Sequence, residues 1–297
     1  MRAAGVNHAD TAQRQGRYAP PEPRPPVEIP GLEFSGEVLA TGTRVRRHRV
    51  GERVCGLLPG GGYAERVVTH ERLAMRLPAA LSWEEGAAIP EAYLTAFDAL
   101  FDQADLRAGE ALLVHAVASG VGLAALQLAR TAGARVFGTS RQAAKCRRAE
   151  ALGATATVEM GRPETDFAAP IIAANGDRGV DVVLDLVGGA YLGRNLAVLA
   201  EGGRLVTLAL KAGARAELDL GVVMAKRLRL GGSTLRPRAI EEKIALTTEF
   251  ERRILPLFAA GSLRPVLDRV LPWQEAAEAH RLIEAGALVG KVVLRVG

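Results

Sequence analysis

The stretch Ala111-Leu112-Leu113-Val114-His115-Ala116-Val117-Ala118-Ser119-Gly120-Val121-Gly122 decides how this chain folds. Its first six residues make a short apolar run, the pattern of a strand covered on both faces. The run ends in small residues, and residues 120–132 then carry apolar side chains at helical spacing. A strand that turns through small residues into a helix is the first half of a βαβ unit. Reading outward, the pattern repeats. Strands are predicted over 134–139, 154–159, 180–187, 203–210 and 227–233, with helices over 142–152, 164–174 and 191–200. Strands alternating with helices imply a parallel sheet of about six strands, which is the doubly wound α/β class.

The turn itself suggests what it holds. Ala118, Ser119, Gly120, Val121 and Gly122 leave room for a pyrophosphate to approach amides at a helix N-terminus, where the helix dipole favours negative charge. Val117 and Ser119 stand where a full G-x-G-x-x-G would have glycine, so position in the βαβ region gives the turn its meaning. A site for NAD calls for an acidic residue about 20 residues beyond the glycines, to hold the ribose 2′-hydroxyl. Here the second strand runs Gly138-Thr139-Ser140-Arg141, with no carboxylate. Ser140 can donate a hydrogen bond, Arg141 can grip an anion with two nitrogens, and Lys145 lies one helical turn further on. These are the parts a 2′-phosphate needs, so NADPH is the expected cofactor.

The rest of the chain sets limits. Of 297 residues, 48% are hydrophobic and 24% charged, which excludes general disorder. Two cysteines, Cys55 and Cys146, exclude a disulfide scaffold and a four-cysteine zinc lobe. The net charge is +5. Lys145, Lys211, Lys226, Lys243 and Lys291 are the only lysines among 38 basic residues, so the surplus is an arginine bias and argues little for nucleic acid. The run Arg44–Arg49 reads as a solvated loop. No apolar run reaches the ~18–20 residues that span a bilayer, and residues 1–15 lack an apolar signal core. A cytoplasmic protein without membrane partners is expected. Residues 1–88 are turn-rich, with a proline cluster over 20–30 and short β-like pieces at 36–40, 53–57 and 65–69.

Several motifs carry a family likeness. They are Gly5-Val6-Asn7-His8-Ala9-Asp10, Gln13-Arg14-Gln15-Gly16-Arg17-Tyr18, Gly31-Leu32-Glu33-Phe34-Ser35-Gly36 and Leu58-Pro59-Gly60-Gly61-Gly62. Ala88-Ile89-Pro90-Glu91-Ala92-Tyr93-Leu94-Thr95-Ala96, Val266-Leu267-Asp268 and Gly290-Lys291-Val292-Val293-Leu294 follow, in order. With them the chain resembles the zinc-free quinone oxidoreductases of the medium-chain dehydrogenase/reductase superfamily, most of all the tumour-suppressor-inducible NADPH type.

That resemblance implies a GroES-like β-barrel catalytic domain from residues 1–88 and 236–297, around a Rossmann NADPH-binding domain over 89–235. It implies some ~30–35 further residues ahead of Met1, forming the first strands of the catalytic domain, so the barrel would be shortened. In metal-dependent relatives zinc is held by Cys, His and Cys. The matching positions here are Asn7, Leu32 and Glu91, and a leucine cannot ligate.

The reaction implied is hydride transfer from NADPH to a quinone or enone in the cleft between domains. Asn7, Tyr18 and Thr95 are the expected acceptor contacts, with Thr95 at the opening of a helix and Tyr18 as substrate contact and possible donor. Leu208 and Leu210 are expected to flank the nicotinamide, and Lys291 matches a position near the cofactor. Asp10 is read as a local anchor, His115 as a satisfied core histidine, and the two cysteines as inert thiols. Met160 stands where relatives often have tyrosine near the 2′-phosphate. The last strand of the parallel sheet resembles the edge that joins family homodimers. Three rivals stand beside this reading. One is a 2-enoyl thioester reductase, another a zeta-crystallin-like protein that binds AU-rich RNA, and the third an inactive truncated fragment.

Overall fold

The structure, a computed structural model, describes residues 1–18, 27–162 and 164–296. Most of the proline cluster therefore lies outside the described residues. The chain divides into two compact units, Met1–Thr95 with Leu235–Gly297, and Ala96–Thr234. The first division falls after Thr95, inside a helix, rather than at 88/89.

The elements run in chain order as follows. The first unit opens with β1 (Ala3–Val6), α1 (His8–Arg14), β2 (Glu33–Glu37), β3 (Arg53–Leu57), β4 (Ala74–Arg76), α2 (Trp83–Ala87) and α3 (Pro90–Phe97). A π-helical turn, Asp98–Gln103, follows. The second unit contains β5 (Ala111–Val114), α4 (Gly120–Thr131), β6 (Arg135–Ser140), α5 (Ala143–Ala151), β7 (Ala156–Glu159) and α6 (Ala168–Ala174). It continues with β8 (Val180–Asp185), α7 (Leu192–Val198), β9 (Leu199–Thr207), α8 (Leu220–Lys226) and β10 (Arg229–Gly232). The chain returns to the first unit with α9 (Ile240–Arg253), α10 (Leu255–Ala259), β11 (Leu267–Pro272), α11 (Ala276–Ala285) and β12 (Lys291–Arg295).

In the second unit six strands pair in the order β10-β9-β8-β5-β6-β7, all parallel. The chain starts at the middle with β5, walks outward through β6 and β7, then returns past β5 to β8. The reversal leaves a topological switch point between the carboxyl ends of β5 and β8, the place where open α/β sheets bind ligands. The expected apolar strands form because helices cover both faces. Leu112, Leu113, Val114, Val136, Val182 and Val183 are all buried. Phe137, Phe167, Ile171 and Leu196 pack a core with Met160, so Met160 is a core residue rather than a rim residue.

Two backbone features explain the turn after β5. A Cβ at Gly122 would lie 2.5 Å from the Ala116 carbonyl oxygen, so only glycine lets α4 pack so near the strand. Ala116 takes the left-handed conformation, φ 49°, a strain of roughly 1 kcal/mol for a residue with a Cβ. Its neighbours hold it there: His115 N–H donates to the Leu184 carbonyl at 3.0 Å and Val117 N–H to that of Thr139 at 3.0 Å.

The first unit has a mixed sheet in the order β11-β12-β1-β2-β3-β4. β12 pairs antiparallel with β1 and parallel with β11. Strand expectations here fared less well. The piece at 36–40 is instead β2, residues 65–69 form no strand, and β4 went unforeseen.

Candidate active site

The second unit carries the residues expected to hold a dinucleotide. Ser119 caps α4, its Oγ accepting the Gly122 N–H at 3.1 Å. Ala118 is buried, while Gly120 and Val121 are half-buried at the helix start. Beneath them lies a buried polar chain. His115 Nε2 donates to Asn195 Oδ1 at 2.7 Å, and Nδ1 lies 2.8 Å from the Thr139 hydroxyl. Asn195 Nδ2 donates to Asp185 Oδ2 at 3.0 Å. The other Asp185 oxygen accepts the Val187 and Gly188 amides at 2.7 and 2.9 Å. Burial lowers the His115 pKa, so this histidine is neutral and ties the carboxyl ends of β5, β6 and β8 together.

At the end of β6, Ser140 is buried and Arg141 exposed. A third cation, absent from the sequence reading, joins Arg141 and Lys145. Lys211 sits on the loop after β9, which is closed by Ala212 N–H donating to the Val187 carbonyl at 2.8 Å. Its ammonium is held down to about 8, first by crowding that thins the solvent around it, then by the like charges of Arg141 and Lys145. A group of cations that repel one another fits an anion, and amides at a helix start fit another, so the residues present suit a nicotinamide dinucleotide. β9 ends at Thr207, so Leu208 and Leu210 lie past the strand. Leu208 N–H donates to the Asp185 carbonyl at 2.8 Å, and Leu210 is exposed against Gly188.

The first unit carries a dense polar cluster of its own, where β1 hands over to α1. Glu33 is fully buried. Its Oε1 accepts from Asn7 Nδ2 at 2.8 Å and from the Lys291 ammonium at 2.6 Å, and its Oε2 from the Glu91 amide at 2.7 Å. Lys291 also donates to Asn7 Oδ1 at 2.5 Å and to the Val6 carbonyl at 3.1 Å. All three of its hydrogens are used inside the unit, where Lys291 buttresses Asn7. The same bonds fix which way the Asn7 amide points and leave one of its two N–H groups without a partner among the described residues. Gly5 makes the cluster possible, because a Cβ there would overlap the Glu33 carboxylate.

Asp10 anchors the start of α1, accepting the Asn7 N–H at 2.7 Å and the Gly31 N–H at 3.0 Å. The Tyr63 hydroxyl donates to it at 3.2 Å and touches His280 Nε2 at 3.0 Å. Burial raises the Asp10 carboxyl to about 6. Glu91, in the first turn of α3, is pushed further, to about 8, by burial and then by the Glu33 charge. It is mostly protonated at neutral pH. Tyr18 titrates above its usual range, through burial and then Glu91, so its hydroxyl is a neutral donor. The Arg236 guanidinium stacks over its ring at 4.7 Å. Thr95 is half-buried in the interior of α3, not at a helix start as expected.

The structure therefore brings Asn7, Glu91, Lys291 and Glu33 together, with Tyr18 beside Arg236. Sequence reasoning missed Arg236, Lys211 and Asn195. It noted Glu91 only as a lost ligand position. Among the described residues no group of three His, Cys, Asp or Glu could hold a metal ion, and Leu32 is buried without a donor atom.

Residues 152–294 match the family described as zinc-binding dehydrogenase, and residues 1–79 that described as alcohol dehydrogenase GroES-like domain. The chain is 34% identical over 297 residues to a quinone oxidoreductase of Lama guanicoe, covering 99% of this chain and 87% of that one. A solved NAD-dependent alcohol dehydrogenase superposes with a TM-score of 0.87 at 34% identity, covering 100% and 90%. The CurK enoyl reductase does so with 0.87 at 30% identity, covering 100% and 89%.

Proposed function

Starting from a chain that belongs to the quinone oxidoreductase relatives of the medium-chain dehydrogenase/reductase superfamily, we propose that it reduces quinones or related α,β-unsaturated carbonyls with NADPH, without zinc. The observation that carries this reading is the rim beyond β6, where Arg141, Lys145 and Lys211 gather and no acidic residue follows the strand. An adenosine 2′-phosphate would relieve the repulsion among these cations, whereas a bare ribose 2′-hydroxyl would not. Ser140 adds a hydroxyl, and Ser119, Gly120, Val121 and Gly122 offer the pyrophosphate seat. Leu208 and Leu210 supply apolar surface for the nicotinamide. One solved relative is titled NAD-dependent, so the preference for the phosphorylated form rests on this chain's own residues.

When bound, the reduced nicotinamide supplies a hydride from its C4. The protein's part is to hold the acceptor and receive its charge. Asn7 offers its spare amide hydrogen and Tyr18 its hydroxyl to a carbonyl oxygen, with Thr95 lining the same unit. Lys291 and Glu33 keep the Asn7 amide from rotating. The zinc positions of metal-dependent relatives match Asn7, Leu32 and Glu91 here, a set in which only one member could be an anionic ligand. Solvent supplies the proton that a hydroquinone anion needs. The reading includes a cytoplasmic homodimer joined at β10, the exposed edge of the parallel sheet.

A titration of NADPH against NADH, followed by rates on 1,2-naphthoquinone and crotonyl-CoA, tests it. Saturable NADPH binding with quinone turnover supports the reading, and no affinity for NADPH sinks it. Preference for crotonyl-CoA would instead favour an enoyl thioester reductase, the class named by one solved relative.

A further inference from the structure

Arg236 is the feature of the first unit that its packing leaves unexplained. The residue follows Leu235, where the chain re-enters the unit. Its Nε–H donates to the Pro59 carbonyl at 2.9 Å, and its plane lies on the Tyr18 ring, centroid distance 4.7 Å. Backbone bond and stacking together fix where the fork points. Both terminal nitrogens are shut off from solvent, and beyond their approach to the Tyr18 hydroxyl they have no hydrogen-bond partner among the described residues. Hydrogen bonds to a charged group are among the strongest in proteins, and burying such donors unused is costly, so orphaned ones call for a missing partner. The nearby carboxyl does not supply it: Glu91 is itself held mostly neutral at pH 7. Among the described residues no carboxylate hydrogen-bonds the terminal nitrogens. A planar fork with two free N–H edges matches an oxygen that carries or develops negative charge.

We infer that Arg236 is the oxyanion-binding residue of the acceptor site, its two free nitrogens receiving the carbonyl oxygen of the quinone or enone as that oxygen becomes negative. This rests on the reading of the chain as a reductase of such acceptors. The hydride adds to an acceptor carbon, and the displaced π pair moves onto the oxygen. That gives an enolate from an enone, and from a quinone the enolate tautomer of the hydroquinone anion, which aromatises by passing the proton of the reduced carbon to oxygen through solvent. A solvent proton then completes the product, and the nicotinamide leaves oxidised. Arg236 donates to the oxygen throughout and gives up no proton, as a guanidinium stays protonated in proteins. Tyr18 and Asn7 alone are neutral donors. A fixed cation adds stabilisation that grows as charge develops, which is the requirement for raising kcat rather than lowering KM.

The test uses 4-nitrophenol, whose bound phenolate and phenol forms absorb differently. Wild-type protein should bind it as phenolate, with a larger phenolate fraction than in buffer at the same pH. Arg236→Gln should lose at least about tenfold in affinity together with that signature, and Arg236→Lys should keep part of both. NADPH binding, read by fluorescence, should stay within about twofold in the variants, as a fold control. In turnover with 1,2-naphthoquinone, Arg236→Ala should lower kcat by about 100- to 1,000-fold, and added ethylguanidinium should restore activity in a saturable way. If Arg236→Gln and Arg236→Ala fail to fold, the wild-type phenolate signature and Arg236→Lys still decide. Wild type that binds only the neutral phenol overturns the inference, as does a folded Arg236→Gln with unchanged kcat and unchanged phenolate binding. Phenolate held through Arg236 by a protein that reduces no quinone would keep the oxyanion site and sink the proposed reaction. Quinone turnover indifferent to Arg236 would do the reverse.

Discussion

Glu91 and Asp10 tie stability to pH through single protons. Each carboxyl has a folded-state pKa above its unfolded value: about 8 for Glu91 and about 6 for Asp10. The native protein thus holds protons that the unfolded chain has already lost. The stabilisation is fully present below the ordinary carboxyl range and is lost as pH rises through 6 and then 8. The melting temperature should fall between pH 5 and pH 9, and Glu91→Gln should flatten much of that slope. An equally steep slope in Glu91→Gln would show the proton to be elsewhere. Lys291 offers a second single-residue test. It is the cation in contact with fully buried Glu33, so Lys291→Met leaves an uncompensated charge and should cost about 3–5 kcal/mol in chemical denaturation. Exchanging Glu33 for Gln in the same chain should recover part of that loss. Arg141→Asp belongs to the cofactor: NADPH should weaken by roughly 10- to 100-fold while NADH is spared. Equal losses for both would remove the 2′-phosphate from that rim.

Among the elements, the β5–α4 turn is the most exacting. A methyl group at Gly122 would lie 2.5 Å from the Ala116 carbonyl and 2.6 Å from that of Val117. Gly122→Ala should therefore push α4 off the sheet and weaken dinucleotide binding by at least about tenfold, with the melting temperature falling as well. This turn was legible from the sequence because its meaning is local: strand, small residues and helix follow one another within twelve positions. The parallel strands were legible for the same reason, being unbroken apolar runs. β4 was not. It has three residues and exists because β3 lies beside it. Residues 65–69 have the composition of a strand but no partner. The start of β9 was missed because Leu199 to Gly203 reads as a helix end with turn glycines. The polar cluster of the first unit was half legible. Asn7, Tyr18 and Lys291 sit in recognisable motifs, but Lys291 turned inward to Glu33, a pairing no spacing reveals. Arg236 meets Tyr18, and Lys211 meets Arg141, only through the folded chain.

At the scale of the whole molecule, no helix among the described residues is long and apolar enough to cross a membrane. Exposed apolar side chains occur in both units, Val68 and Val50 in the first among them, and one group lies at a sheet edge. β10 is exposed along its length, and Leu230 in it, with Leu220 and Met224 on α8, is uncovered. An unpaired edge strand with apolar neighbours is a template for a second copy. Light scattering should give the mass of a dimer, and Leu230→Asp should give a monomer; a wild-type monomer would remove this proposal. The arginine-rich surface leaves one rival to check. If RNA binding is undetectable, or does not fall with added salt, phosphate contact is absent.

β12 joins β1, the first strand, to β11 near the other end of the chain, and it also carries Lys291. The unit it completes is built from both terminal portions, whereas Ala96–Thr234 is one uninterrupted run. Domains fold as units during synthesis, N-terminal parts first. On the ribosome, then, Ala96–Thr234 has its whole sequence early, while β1 waits for β12 before its sheet can close and Lys291 can clamp Asn7. A premature stop between Thr234 and Gly290 would release a polypeptide with the parallel-sheet unit encoded in full and the mixed sheet without the strand that carries Lys291.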